Sequence, residues 1–208
     1  MSVETAAYRI PERAEFSASA VEMGPRLLGA LLSHETDRGT VTVRITELEA
    51  YMGDGNDPGS HAYRGKTKRN AAMFGPPAHL YAYFTYGMHT CANIVCSPDG
   101  SASGCLMRGA EVVEGLELAR ERRGAKITDR ALGRGPANLV VALGITLVDG
   151  GADLLASPFT LRLPITPPDF QVGPRTGLGG PGGGLEYPWR FWIPGERSVS
   201  PYRKHPRA

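Results

Sequence analysis

The 208-residue chain is expected to fold as a mixed α/β (α+β) single domain, a mainly antiparallel curved β-sheet with a protruding β-hairpin and surrounding helices. Short runs of β-branched and aromatic residues recur between turn residues, which is the strand-and-hairpin pattern. Glycine (27) and proline (17) are plentiful, so elements are short and turns many. Only three segments have helical character, and the linkers are too short to separate domains.

Residues 1–15 are polar and unpatterned, and are read as a flexible lead-in to a single catalytic domain over 16–208. Ser17 to Leu28 is expected to be a helix capped by Ser17 or Ser19. Gly29 then hands over to a strand near Ala30 to Ser33. The turn Glu35 to Thr40 joins this strand to the next, Val41 to Tyr51, as a hairpin. Met52 to Pro77 is a loop long enough to imply function or disorder. Leu80 to Cys96 reads as a second hairpin turning at Tyr86-Gly87, and Gly104 to Arg108 as a further strand. Glu111 to Arg123 has Val112, Leu116 and Ala119 in one apolar stripe and is expected to be an amphipathic helix. Pro136 to Leu143 is a helix with proline in its first turn. A glycine-rich insert, Gly177 to Gly184, precedes a last strand at Trp189 to Pro194.

Composition is that of an ordinary globular protein, 41% hydrophobic and 21% charged, with a net charge of +2 that identifies no partner. Arg64, Lys66, Lys68 and Arg69 cluster in the long loop. They suit phosphate contact as well as a solvated surface. Cys91, Cys96 and Cys105 are odd in number and lack zinc spacing, so free thiols in a reducing cytoplasm are expected, and no metal. No run approaches the ~18 apolar residues of a membrane span.

The segment Val41 to Tyr51 bears most on chemistry. At period two, Val41, Val43, Ile45, Glu47, Glu49 and Tyr51 share one face. Two readings fit: a strand that emerges into solvent after Ile45, or a pocket where Glu49 takes a proton from water beside the wall of Tyr51. The second hairpin carries Tyr86 and Met88 at an apex where small polar residues are usual. Either other loops cover Tyr86, or it projects as a wedge that unstacks a nucleic-acid step. Tyr81 and Tyr83 supply further stacking surface, in a pocket or in the core.

The order Glu49-Ala50-Tyr51, His61, Arg69-Asn70 with Met73-Phe74, Tyr81-x-Tyr83-x-x-Tyr86-Gly87-Met88, Asn93 and Arg108 resembles the alkyladenine (3-methyladenine) DNA glycosylases of the mammalian type. Gly135-Pro136 and Pro174-Arg175 extend the likeness from about Val21 to Ile193, with the short loops of bacterial members. The resemblance implies a monofunctional DNA glycosylase that flips alkylated or deaminated purines (3-methyladenine, 7-methylguanine, hypoxanthine, ethenoadenine) out of duplex DNA and hydrolyses the N-glycosidic bond. In that reading Glu49 is the general base and Tyr51, His61 and Tyr83 are the walls around the base. Asn93 rejects the amino group of normal guanine. Tyr86 plugs the duplex with Met88 behind it, and Arg108 lies near the phosphate of the flipped nucleotide. Lys66, Lys68 and Arg69 belong to the DNA grip.

The lysines fall outside the pocket motifs, so neither a Schiff-base lyase step nor a cofactor is expected. The implied partner is double-stranded DNA bearing damaged purines, bound by a monomer that is cytoplasmic and, if bacterial, nucleoid-associated. His89, Thr90, the loop from Tyr51 to His61 and the Gly177 to Gly184 insert depart from the mammalian pattern. A non-catalytic damaged-DNA binding module and a hydrolase of free nucleosides are the rival readings. The presence of Glu49 argues against the first, and the wedge and basic loop against the second.

Overall fold

A computed structural model describes residues 7–53 and 55–207. Among them are ten strands: β1 (Tyr8–Arg9), β2 (Leu31–Thr36), β3 (Gly39–Met52), β4 (Leu80–Thr85), β5 (His89–Cys96), β6 (Ser103–Glu114), β7 (Gly133–Arg134), β8 (Phe159–Pro164), β9 (Gln171–Gly173) and β10 (Arg190–Trp192). The helices are α1 (Ala20–Leu27), α2 (Leu116–Arg123) and α3 (Pro136–Leu143). The fold is the expected single α+β domain: one open sheet in the order β1-β8-β2-β3-β6-β5-β4, with β7 added to β6 and β10 bridging β3 to β9. The strand pairings are antiparallel.

Both expected hairpins form. β2 returns as β3 with Thr36 opposite Gly39, and β4 returns as β5 with Thr85 opposite His89. Helix α1 starts after Ser19, whose hydroxyl accepts the Glu22 N–H while Glu22 accepts from the Ser19 N–H. That reciprocal cap outcompetes Ser17, which closes a separate 3-10 turn, Arg13–Ser17. A Cβ at Gly24 would lie 2.6 Å from the Phe191 ring, so glycine lets α1 sit directly on β10. Helix α3 packs on β6 and begins at Pro136, as expected.

Several expectations are corrected. The strand after the second hairpin does not end at Arg108 but runs to Glu114, and the helix expected from Glu111 begins only at Leu116. Glu111, Val112 and Glu114 pair with Arg44, Val43 and Thr42, and Arg44 forms an ion pair with Glu111. Tertiary pairing with β3 therefore overrides the helical stripe. Gly115 makes the break at φ 71°, where a side chain would strike the Thr40 carbonyl. The strand expected at Ala30 to Ser33 runs over Leu31–Thr36, and that expected at Trp189 to Pro194 over Arg190–Trp192. Of the expected lead-in, residues 1–6 lie outside the described residues, while Tyr8–Arg9 pairs with β8 and Arg9 bonds Glu15. Three histidines outside the pocket, His34, His79 and His205, each have a neighbour in the fold. His34 stacks on Phe159 at 4.2 Å, His79 bonds Arg13, and His205 lies against Gly179.

Candidate active site

The site exists because two central strands change phase at the same place. Thr46 has no partner in the β3–β6 register, and two residues on Arg108 has none either. Each is an extra residue in a β-bulge, and a bulge shifts the side-chain alternation by one. Val41, Val43 and Ile45 face the main core, but beyond the bulge it is Leu48 and Ala50 that continue it. Glu47, Glu49 and Tyr51 consequently face the other way. The same-face expectation for all six residues is thus corrected: the carboxylates share a face with each other and not with the valines. On β6, Cys105 and Met107 belong to the core before the bulge and Ala110 after it, while Leu106 and Arg108 line a cavity.

That cavity measures about 200 Å³ and is lined by Glu49, Tyr51, His61, Tyr83, Asn93 and Arg108 together with Met73, Tyr81, Tyr86, Cys91, Pro136 and Thr176–Leu178. Glu49 is fully buried, and its partners are all supplied. Its Oε1 accepts the main-chain N–H of Thr176 at 2.6 Å, and its Oε2 accepts the Tyr51 hydroxyl at 2.9 Å. Arg108 Nε lies 3.4 Å from Glu49 Oε1 and 3.2 Å from Glu47 Oε1, and donates to Ser200 Oγ. Glu47 has a different environment. It accepts from Arg190 Nε and from both the N–H and the hydroxyl of Ser200, which saturates it and makes it an anchor for the C-terminal segment.

The walls are aromatic. Tyr83 stacks on Tyr81 with centroids 5.4 Å apart, and His61 meets Tyr83 edge-on at 4.6 Å. His61 Nδ1 and the Tyr81 hydroxyl are 3.1 Å apart, and the His61 carbonyl accepts from Asn70 Nδ2. Burial raises the Tyr51 and Tyr83 phenols well above their ordinary range and Tyr81 to about 12, so all three are neutral at physiological pH. Burial, then the nearby Arg69, holds the His61 imidazole below its ordinary value. Asn93 is buried on β5 opposite Tyr81 and donates Nδ2 to the Tyr81 carbonyl.

The hairpin tip projects. Tyr86 is 83% and Met88 70% exposed, and Phe84 on the approach strand is also exposed, while Tyr86 itself reaches the cavity lining. Tyr86 and Gly87 both have positive φ, 52° and 66°, and Met88 N–H closes the turn onto the Thr85 carbonyl. Paired positive φ values are the tight-hairpin signature, here with a tyrosine in a conformation that glycine or asparagine adopts more easily. Arg69 ties the basic loop to the hairpin by donating to the Phe84 carbonyl, and Lys66 and Lys68 are exposed beside it. Arg108 sits deeper than a surface phosphate ligand, its side chain 13% exposed.

What sequence reasoning missed is the support behind the site. Arg175 is fully buried, clasps Asp57 through two bonds of 2.6 Å, donates to the Ala50 and Gly182 carbonyls, and lies 4.5 Å over the Tyr51 ring. Asp57 itself caps Gly59 N–H and Met52 N–H. The long loop, the glycine-rich insert and β3 meet in this one pair. An aspartate in a loop of glycine and proline, with Asp54 three residues before it, gives no local signal of burial. Cys91, buried beside Tyr83 with its thiol pushed up by burial, and Leu178 of the insert were likewise unassigned wall residues. Among the described residues there is no cluster of three or more metal-ligating side chains, and the three cysteines are free.

Residues 14–197 match the family model described as methylpurine-DNA glycosylase. Proteins named "Putative 3-methyladenine DNA glycosylase" from Leifsonia xyli, Streptomyces avermitilis and Burkholderia lata are 63%, 49% and 45% identical over 202, 203 and 192 residues. The aligned regions cover 95%, 95% and 90% of this chain, and 95%, 94% and 89% of the relatives. The phase change that exposes Glu49 to a tyrosine-walled cavity thus sits in a chain that is similar to these relatives almost end to end: it belongs to the methylpurine-DNA glycosylase family.

Proposed function

We propose that this DNA glycosylase acts on alkylated and deaminated purines in duplex DNA, turning the damaged nucleotide into the cavity and hydrolysing its N-glycosidic bond with water activated by Glu49. The observation that carries this reading is the placement of a fully buried carboxylate at the wall of a tyrosine-lined slot beside an exposed aromatic tip. At about 200 Å³ the slot is smaller than the ~300–1,000 Å³ of most small-molecule sites, which suits one flat base rather than a whole nucleotide.

Extruding a nucleotide costs a few kcal/mol, and stacking on an aromatic side chain returns about 1–3 kcal/mol per base. Tyr51, His61 and Tyr83 can therefore offset the cost, with Tyr86 occupying the gap and Met88 supporting it. A purine alkylated on a ring nitrogen is cationic. The neutral phenols and imidazole hold it by their electron-rich faces without charge repulsion. Asn93 is fixed by its bond to the Tyr81 carbonyl and fills the floor where the amino group of guanine would go.

In the reaction, water gives a proton to Glu49 and its oxygen bonds to C1′, while the C1′–N bond breaks and its electron pair leaves with the base. The carboxylate also offsets the positive charge that develops on the sugar. Thr176 N–H and the Tyr51 hydroxyl hold its orientation. Arg108, between the two glutamates, is assigned to the phosphate of the everted nucleotide, and Lys66, Lys68 and Arg69 to flanking phosphates. The test is single-turnover release of free 3-methyladenine from methylated duplex. A folded wild-type preparation that releases no base sinks the reading.

A further inference from the structure

We propose that the segment Tyr202–Arg207 is a phosphate-binding arm that holds the DNA strand at the rim of the cavity. The inference rests on the reading of duplex DNA as substrate. From Arg197 onward the chain carries Arg197, Arg203, Lys204 and Arg207 and no carboxylate side chain. The whole chain has a net charge of only +2, so without these four cations the rest would be net negative. Positive charge on this protein is local, and this is one of its concentrations.

The segment is held in place by its backbone and by His205, and the side chains of Arg203, Lys204 and Arg207 form no hydrogen bond among the described residues. Ser200 is anchored in the buried cluster with Glu47, Arg190 and Arg108. The Arg203 carbonyl then accepts Gly177 N–H at 2.7 Å, and the Arg207 carbonyl accepts Gly180 N–H at 2.9 Å. A Cβ at Gly179 would lie 2.8 Å from the His205 ring, so a glycine there lets the segment lie flat on the insert. Gly177 itself lines the cavity, next to the Thr176 that holds Glu49. Arg203 is thus attached by its main chain to the wall of the slot.

Arg203, Lys204 and Arg207 are exposed, and none forms a salt bridge among the described residues. By contrast Arg120, Arg38 and Arg44, elsewhere on the surface, are matched with carboxylates. Unmatched cations on a fixed backbone beside an aromatic slot suit a polyanion that passes the slot at constant spacing. The phosphodiester backbone around an everted nucleotide is that polyanion, and Tyr202, half-exposed, adds a ring beside it. The glycine-rich insert then has a purpose: it forms one wall of the slot and a seat for the arm.

Each phosphate contact contributes about 0.9 to the slope of log affinity against log salt on B-DNA. Binding to an undamaged duplex, followed by fluorescence anisotropy over a salt series, reads the arm without requiring catalysis. The combined variant Arg203→Gln, Lys204→Gln, Arg207→Gln is expected to lower that slope by roughly 2–3, and Lys204→Gln alone by roughly 1. A charge-preserving variant, Arg203→Lys, Lys204→Arg, Arg207→Lys, is expected to keep the slope. Base release at subsaturating methylated duplex is expected to fall in the two neutral variants and to hold in the charge-preserving one. An unchanged slope in the neutral variants overturns the arm, as does an equal loss in the charge-preserving one. If the slopes shift as expected while even the wild type releases no base, the arm stands and the glycosylase reading falls.

Discussion

Thr176 donates its main-chain N–H to Glu49 Oε1 at 2.6 Å across 127 residues of sequence. The contact depends on the residue before it. Arg175 is pinned by Asp57 and by the carbonyls of Ala50 and Gly182, and its guanidinium covers one face of Tyr51. One buried cation thereby sets the orientation of the Glu49 carboxylate and of an aromatic wall.

Removing that cation should damage both stability and turnover. Arg175→Met leaves Asp57 charged, buried and unmatched, which costs about 3–5 kcal/mol. For a domain of this size that is a melting point lower by roughly 6–20 °C. Adding Asp57→Asn removes the orphaned charge and should recover part of the melting point, but not the rate of base release, since Tyr51 and Thr176 stay unsupported. Thermal melts and single-turnover assays on the two variants check this; a loss below about 1 kcal/mol in the single variant would show the pair to be dispensable.

Glu49→Gln should separate fold from chemistry. The amide oxygen can still accept from Thr176 or Tyr51, and Arg108 keeps Glu47, so the melting point should move by only a few degrees. Base release should fall by about 10²–10⁴, the usual contribution of a general base. Lesion binding should survive. A variant that released base at the wild-type rate would remove Glu49 from the mechanism.

Much of this was legible in the chain. The alternation of Val41 to Ile45, the Ser19 cap, the Pro136 start and the Tyr86-Gly87 turn are local signals, and the structure uses each of them. The misreadings are non-local. The stripe of Val112, Leu116 and Ala119 fits a helix on its own, and only the pairing of Val112 with Val43 makes its first part a strand. The bulges at Thr46 and Arg108 are likewise set by the neighbouring strand, so two-residue periodicity placed Glu49 on the wrong face while still marking it as the residue to watch. Asp57 and Arg175 lie 118 residues apart, and neither neighbourhood reveals the other.

Tyr86 offers a test of the wedge that leaves the fold alone. Its side chain is exposed and its φ of 52° is unfavourable for tyrosine, so Tyr86→Gly removes the ring and relieves the backbone together. Stability should change by less than about 0.5 kcal/mol, the ordinary range for a surface substitution. Base release from duplex should slow, and release from a single-stranded substrate, where no stack has to be opened, should slow less. Equal effects on the two substrates would assign Tyr86 some role other than filling the duplex.

If His61 is a wall of the base slot, as proposed, selectivity should depend on pH in a definite direction. Burial and then Arg69 hold its pKa below the ordinary 6.5, so the folded protein favours the neutral ring. The unfolded chain takes up a proton near 6.5 while the folded one does not. Between 6.5 and the folded value, stability therefore falls as pH falls, and below the folded value both states are charged and the loss is complete. The same protonation acts on the slot. A charged His61 repels a cationic base such as 7-methylguanine but not a neutral one such as hypoxanthine, so acidification should shift competition between the two lesions toward hypoxanthine. Arg69→Gln removes the repulsive cation, raises the His61 pKa and should move that crossover to higher pH. Imidazole titration by NMR, with paired competition assays between about pH 5 and 8, reads both effects. Should the crossover stay in place when the His61 titration moves, the discrimination between charged and neutral purines belongs to the tyrosines and not to the histidine.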